Sequence, residues 1–178
     1  GASTTYPDGF FDSLGRPTRV EKTVRVGDDT TTTLDLKYSP LGDIVRFNII
    51  PNEEEDSQAS YSRSFDEFGR QRAAQFNESD FSDVAKRVEF NYNLIDQYTS
   101  IDRRYAPSSS WVTIGNTQFD YDPAARLKSI DHYKDTGTSN SLASFEYAHD
   151  IMDRIVTFTI NGVDRDYVYD ANDRLTQD

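Results

Sequence analysis

Apolar and polar positions alternate along much of this chain, in short bursts separated by turn residues. Leu34, Leu36 and Tyr38 interleave with Thr33, Asp35 and Lys37, the period of two that marks a half-buried β-strand. Similar strands are expected over Val20–Val26, Ile44–Ile50, Arg70–Phe76, Val84–Tyr92, Tyr98–Tyr105, Leu127–Tyr133 and Phe145–His149. Trp111–Ile114 opens another, which Gly115-Asn116 is expected to interrupt before Phe119 and Tyr121. Thr30–Thr33 reads as polar strand or loop. The stretch Ile155–Tyr169 folds about Asn161-Gly162, the strongest two-residue signal for a type I′ hairpin turn. No long amphipathic helix pattern appears; Ser82–Val88 could make a short helix, but Val88, Phe90 and Tyr92 read as strand.

The turns between strands repeat. An anchor, aromatic in six copies, recurs at Phe11, Tyr38, Phe65, Tyr92, Tyr121, His149 and Tyr169, at steps of 27, 27, 27, 29, 28 and 20 residues. Such a period is the signature of an array. The next slot holds Asp12, Ser39, Asp66, Asn93, Asp122, Asp150 and Asp170, residue types favoured at the first position of a type I turn. Pro40 and Pro123 follow in two copies, where proline pre-sets the second turn position. Three residues after the acidic slot come Gly15, Gly42, Gly69, Asp96, Ala125, Asp153 and Asp173. Glycine and aspartate tolerate positive φ, so a type I turn closed by a G1 bulge is expected, with Ala125 mildly strained.

The following slot is Arg16, Asp43, Arg70, Gln97, Arg126, Arg154 and Arg174. An arginine here faces back across the turn, to pair with the turn aspartate or lie over the anchor ring. Recurrence in five copies makes it structural, since a catalytic group is not repeated along an array. Beyond it lie Ile44, Tyr98, Leu127, Ile155 and Leu175; three residues further sit Phe47, Ile101, Ile130 and Phe158, with Val20 in the first copy. A step of three does not keep one strand face, so either both faces are partly covered or a bulge intervenes.

The phrases Phe11-Asp12-Ser13-Leu14-Gly15-Arg16, Phe65-Asp66-Glu67-Phe68-Gly69-Arg70 and Tyr169-Asp170-Ala171-Asn172-Asp173-Arg174 resemble the Rhs/YD-repeat family. The Tyr92 and His149 copies depart from the pattern, and all steps but the last exceed the roughly 20 residues usual in that family. The resemblance implies an all-β fold, an extended, curled antiparallel sheet of tandem hairpins of the kind that family winds into a spiral or hollow shell. It implies a secreted or cell-surface protein, extracellular in location, with an encapsulating role as in toxin shells or an adhesive one as in teneurins. Residues 1–10 are expected to be a leader or cloning-derived segment, with Tyr6–Gly9 as a turn, and 11–178 about seven repeats forming one domain of a longer repeat protein.

Charge and composition narrow the partners. The chain carries 31 acidic and 19 basic residues, a net charge of −12, which opposes nucleic acid and anionic membrane surfaces. No run of 18 apolar residues is present, so no membrane insertion is expected. There is no cysteine, which removes disulfides and thiolate chemistry. His132 and His149 lack the paired spacing of a metal site, and His149 stands in an aromatic slot. The acids of Asn52–Asp56 form a loop; carboxylates are ligands for calcium, but their spacing matches no binding loop and a solvated connection is expected. Glycosidases use paired carboxylates and acids are abundant here, yet most occupy repeat turns. No nucleophile elbow, phosphate loop or metal helix is found, so the chain is expected to be no enzyme and to take no cofactor. Its expected partners are neighbouring repeats or copies of itself, by pairing of strand edges. The alternative is a carbohydrate- or protein-binding adhesion module using exposed aromatics and acidic loops, with Trp111 as a sugar-stacking platform; such a tryptophan is more often an inter-strand residue.

Overall fold

The computed structural model describes residues 2–5, 10–25, 29–51, 59–78, 85–107, 110–137, 139 and 141–177. The acidic loop at 52–56, the turn at 6–9 and the segment 82–84 lie outside them. The described residues contain strands, turns and bends and no helix. The chain divides into two compact units, Gly1–Glu89 with Tyr105–Val112, and Phe90–Arg104 with Thr113–Asp178.

In the first unit, strands β1 (Ala2–Thr5), β2 (Arg19–Arg25), β3 (Asp29–Tyr38), β4 (Ile44–Pro51), β5 (Ala59–Phe65), β6 (Gln71–Glu78) and the start of β7 (Ala85–Tyr92) lie side by side in chain order, each antiparallel to the next. The stretch read as a leader thus contributes strand β1. Across this sheet Leu36, Phe47, Tyr61 and Phe76 form one transverse row. The rings of Phe47 and Tyr61 stack 5.0 Å apart. Cross-strand pairs of this kind contribute about 0.2–1 kcal/mol each.

The second unit contains most of β8 (Tyr98–Ala106) and β9 (Val112–Tyr121), followed by β10 (Leu127–Tyr133), β11 (Ser141–His149), β12 (Ile155–Ile160) and β13 (Val163–Asp166). Strands β9 to β13 are again consecutive antiparallel neighbours, and β14 (Val168–Tyr169) pairs with β15 (Leu175–Gln177) in a small sheet of its own. Here the transverse row is Phe119, Ile130, Phe145, Ile160 and Val163. Neither unit's strand order closes into a barrel.

Strand β9 runs through Gly115-Asn116 without the expected interruption. Asn116 is held in the strand by its amide, which donates to the Asp102 carboxylate at 2.8 Å, both side chains being buried. Thr30–Thr33 is strand. Asn161 and Gly162 have φ of 49° and 81°, as a type I′ turn requires.

Burial is shallow. Among the described residues only Leu36, Ala73 and Ala106 are buried apolar side chains, and none of the largest is fully enclosed. Most strand residues are half-buried, so cohesion rests on ladder hydrogen bonds, cross-strand pairs and the turns rather than on one thick core.

Candidate functional site

The seven turns are built on one plan. Each acidic-slot amide donates to the carbonyl four residues on, as Asp12 N to Arg16 O at 2.9 Å and Asp170 N to Arg174 O at 2.9 Å. All seven residues of the Gly/Asp slot have positive φ: 73° at Gly15, 99° at Gly42, 81° at Gly69, 65° at Asp96, 63° at Ala125, 65° at Asp153 and 60° at Asp173. A left-handed alanine is disfavoured by roughly 1–2 kcal/mol, so Ala125 carries the strain its sequence implied.

The acidic residue does more than favour a turn. Asp12 Oδ1 accepts from the Leu14 and Arg16 amides at 2.9 and 3.0 Å, and its Oδ2 accepts from Arg16 Nε at 2.6 Å. Asp66 with Arg70, Asp122 with Arg126, Asp150 with Arg154 and Asp170 with Arg174 repeat this arrangement. Asn93 Oδ1 and Ser39 Oγ accept the same two amides in their turns. The donors hold the carboxyl groups below their ordinary range. For Asp12 the Arg16 amide leads, and for Asp122 the Arg126 guanidinium. Burial is the largest single influence on Asp66 and Asp150 and raises them, but the amides and guanidinium of Arg70 and Arg154 together outweigh it. For Asp170 the amide and side chain of Arg174 dominate. Arg126 is raised in turn, first by Asp122 and then by Asp153.

A bulge resolves the step of three. Tyr121 pairs with Leu127 but Asp120 pairs with Ser129, so Lys128 is the extra residue. The same slip omits Val45, Arg72, Val156 and Thr176. One inserted residue returns Ile155 and Phe158 to the same face. In three copies the second aliphatic or aromatic then meets the residue two before the anchor: Leu36–Phe47, Phe119–Ile130 and Tyr147–Phe158.

Turns are also bonded to their neighbours along each unit, which the sequence alone does not display. The anchor tyrosine reaches back to the carbonyl just past the arginine slot of the preceding turn: Tyr38 Oη donates to Pro17 O at 2.8 Å, Tyr121 to Tyr98 O at 3.0 Å, and Tyr169 to Ile155 O at 2.9 Å. Where the anchor is Phe65, Arg63 supplies the donor instead, to Ile44 O at 2.6 and 2.9 Å. The arginine reaches forward. Arg126 Nη1 donates to Asp150 O at 2.8 Å and Asp153 Oδ1 at 2.7 Å, and Arg154 Nη1 to Asp173 Oδ1 at 2.7 Å. Gln97 Nε2 donates to the Ala125 carbonyl at 2.7 Å. Arg16 and Arg154 lie over the next anchor, 4.4 Å from the Tyr38 ring centre and 4.8 Å from that of Tyr169. Arg16 and Arg154 therefore cover an anchor ring, but that of the following copy, whereas Arg70 lies 5.1 Å from the Phe68 ring centre within its own turn. The signal for these bonds was tyrosine rather than phenylalanine in the anchor slot, and aspartate rather than glycine at the left-handed position.

The remaining anchors Phe11, Tyr92 and His149 differ in cover: Phe11 is exposed, the other two half-buried. Phe11 forms an isolated bridge to Pro17. His132 contacts Thr117 Oγ1 at 3.0 Å and meets the Phe145 ring edge-on. Trp111 is half-buried, with the Arg87 guanidinium 5.9 Å from its ring centre and Arg87 paired to Glu89 at 2.9 Å. The described residues hold no group of three or more His, Cys, Asp or Glu able to share a metal ion.

One groove is open in the second unit. Tyr147, Ile155, Phe158, Tyr167, Tyr169 and Leu175 enclose about 350 Å3 between β11, β12 and the β14–β15 pair. Tyr147 and Phe158 stack 5.1 Å apart in its wall, and no sequence motif marked it. No protein-family model matches the chain, and no curated protein matches it either.

Proposed function

We propose that this chain is a non-catalytic scaffold segment of a secreted or cell-surface YD-repeat protein, its hairpins forming part of a shell or encapsulating wall. The observation that carries this reading is that the repeat-defining side chains bond to each other. The turn aspartates are engaged by their own arginines, and three anchor hydroxyls by the preceding turn. Side chains so engaged hold a register; they are not free to bind or transform a substrate. The Arg87 guanidinium over Trp111 favours an inter-strand tryptophan over a sugar platform.

The reading is tested by two measurements together. Replacing Tyr38 with Phe removes one bond and is expected to cost about 1 kcal/mol in chemical denaturation. The intact chain is expected to retain no sugar on a glycan array. Sugar binding that Trp111→Ala abolishes would overturn the scaffold reading in favour of an adhesion module.

A further inference from the structure

The repeated turns carry apolar side chains that their geometry does not need, since Asp, Asn, Ser, Gly and Pro dominate turns. The residue two after the acidic slot is Leu14, Leu41, Phe68, Ile95, Ala124 and Met152 in the first six copies and Asn172 in the seventh. Leu14, Leu41 and Phe68 are 71%, 82% and 71% exposed. Their turns stand side by side on one rim of the first unit. An added Cβ at Gly42 would lie 3.5 Å from Arg16 Nη1, and one at Gly69 3.8 Å from Leu41 Cδ1, so each turn touches the next. The three tips thus form an apolar row across the ends of strands β2 to β6, at right angles to the outer strands of the sheet. In the second unit Ala124 interrupts the corresponding series between Ile95 and Met152.

Pitch and charge describe what fits this row. Successive tips are two strands apart, about 9.5–10 Å. Seven residues of an α-helix advance about 10.5 Å and return to the same face. An extended strand covers that distance in about three residues and arrives on its opposite face. The three turns hold four acids and two arginines. Asp12 and Asp66 are engaged by Arg16 and Arg70. Asp43 and Glu67 are exposed, and their carboxylates have no partner among the described residues. The row is therefore apolar at its tips and carries unpaired negative charge beside them.

We propose that the row of Leu14, Leu41 and Phe68 docks an amphipathic α-helix of a partner protein. The helix carries apolar residues along one face at heptad spacing, with lysine or arginine beside them. Its apolar stripe covers the three tips and removes them from water. Its cations meet Asp43 and Glu67. A net charge of −12 favours encounter with such a helix and opposes a second copy of this chain in its place.

The test uses a fluorescein-labelled peptide of about 18 residues, with leucines in a heptad stripe flanked by lysines. It is titrated with the full chain, read by anisotropy, and its helicity is followed by circular dichroism. The lysine peptide is expected to bind and to gain helix. A version with its leucines scrambled off the stripe, or with glutamate for lysine, is expected to bind at least about tenfold more weakly. Leu41→Ser with Phe68→Ser should weaken the lysine peptide at least about tenfold, and Asp43→Lys with Glu67→Lys should shift preference to the glutamate peptide. Leu142→Ser, at an exposed leucine outside the turns, should leave binding unchanged; far-UV circular dichroism checks that each variant folds. Equal binding of the striped and scrambled peptides, binding without gain of helix, or unchanged binding to the Leu41→Ser, Phe68→Ser variant overturns the proposal. Sedimentation that shows a dimer dissociated by that variant would overturn it too, by assigning the row to a second copy.

Discussion

The two units solve the same turn differently. In the first, the left-handed slot is glycine each time: Gly15, Gly42 and Gly69. The Arg16 guanidinium comes close to Gly42, where an added Cβ would lie 3.5 Å from Nη1, but finds there no carboxylate and rests on the Tyr38 ring. In the second unit the slot is Asp96, Ala125, Asp153 and Asp173. Asp153 and Asp173 accept the preceding arginine, and Ala125 lends its carbonyl to Gln97. Glycine meets the backbone demand alone; aspartate meets it with some strain and adds a charged link to the next turn. Arg16 is thus tied to the next turn through a ring, and Arg126 and Arg154 through ion pairs.

Acid should separate the units most. Turn carboxylates with lowered folded pKa contribute stability that is fully present above their unfolded value near 4 and is lost as pH falls through the lower folded values. The second unit has three such turns, at Asp122, Asp150 and Asp170, and the first has two, at Asp12 and Asp66. Below about pH 4 the amide resonances of 122–126 and 150–154 are expected to change before the fluorescence of Trp111, which belongs to the first unit. Coincident transitions would mean that the difference between turn types does not reach stability.

A backbone substitution comes next in size. Gly69→Val forces a β-branched residue to φ near 81° and is expected to cost about 2–3 kcal/mol in denaturant titration. Ala125→Gly in the second unit should raise stability by up to about 1 kcal/mol by relieving its left-handed alanine. A loss at Ala125→Gly would show that this strain is not felt.

The smallest effect is the most direct test of the link. Gly42→Asp offers Arg16 the acceptor it lacks, and Asp153→Gly takes one from Arg126. The Asp153 side chain is 77% exposed, so each change should move the melting temperature by only about 1–2 °C. Measured at low and high salt, Asp153→Gly should gain stability relative to the parent chain as ionic strength rises and the lost ion pair counts for less.

Much of this was legible in the residues. Strands followed from alternation, and the left-handed positions followed from a slot restricted to Gly, Asp and Ala125. The Asn161-Gly162 turn and the Asp–Arg pairing within a turn were likewise local. Other features were ambiguous or invisible. Gly115-Asn116 looked like a break but stays in β9, because Asn116 finds a buried partner in Asp102 on the neighbouring strand. The step of three between Ile155 and Phe158 fitted either a bulge or two covered faces until the register was known.

Sequence by itself determined the hairpin unit, its turn chemistry and its repetition, because these depend on contacts within about five residues and on which side chains tolerate positive φ. Only the tertiary structure decided which turn each arginine and tyrosine reaches. Arg126 meets Asp153 and Arg154 meets Asp173 across unequal chain separations, since strand register, not distance along the chain, places neighbouring turns side by side.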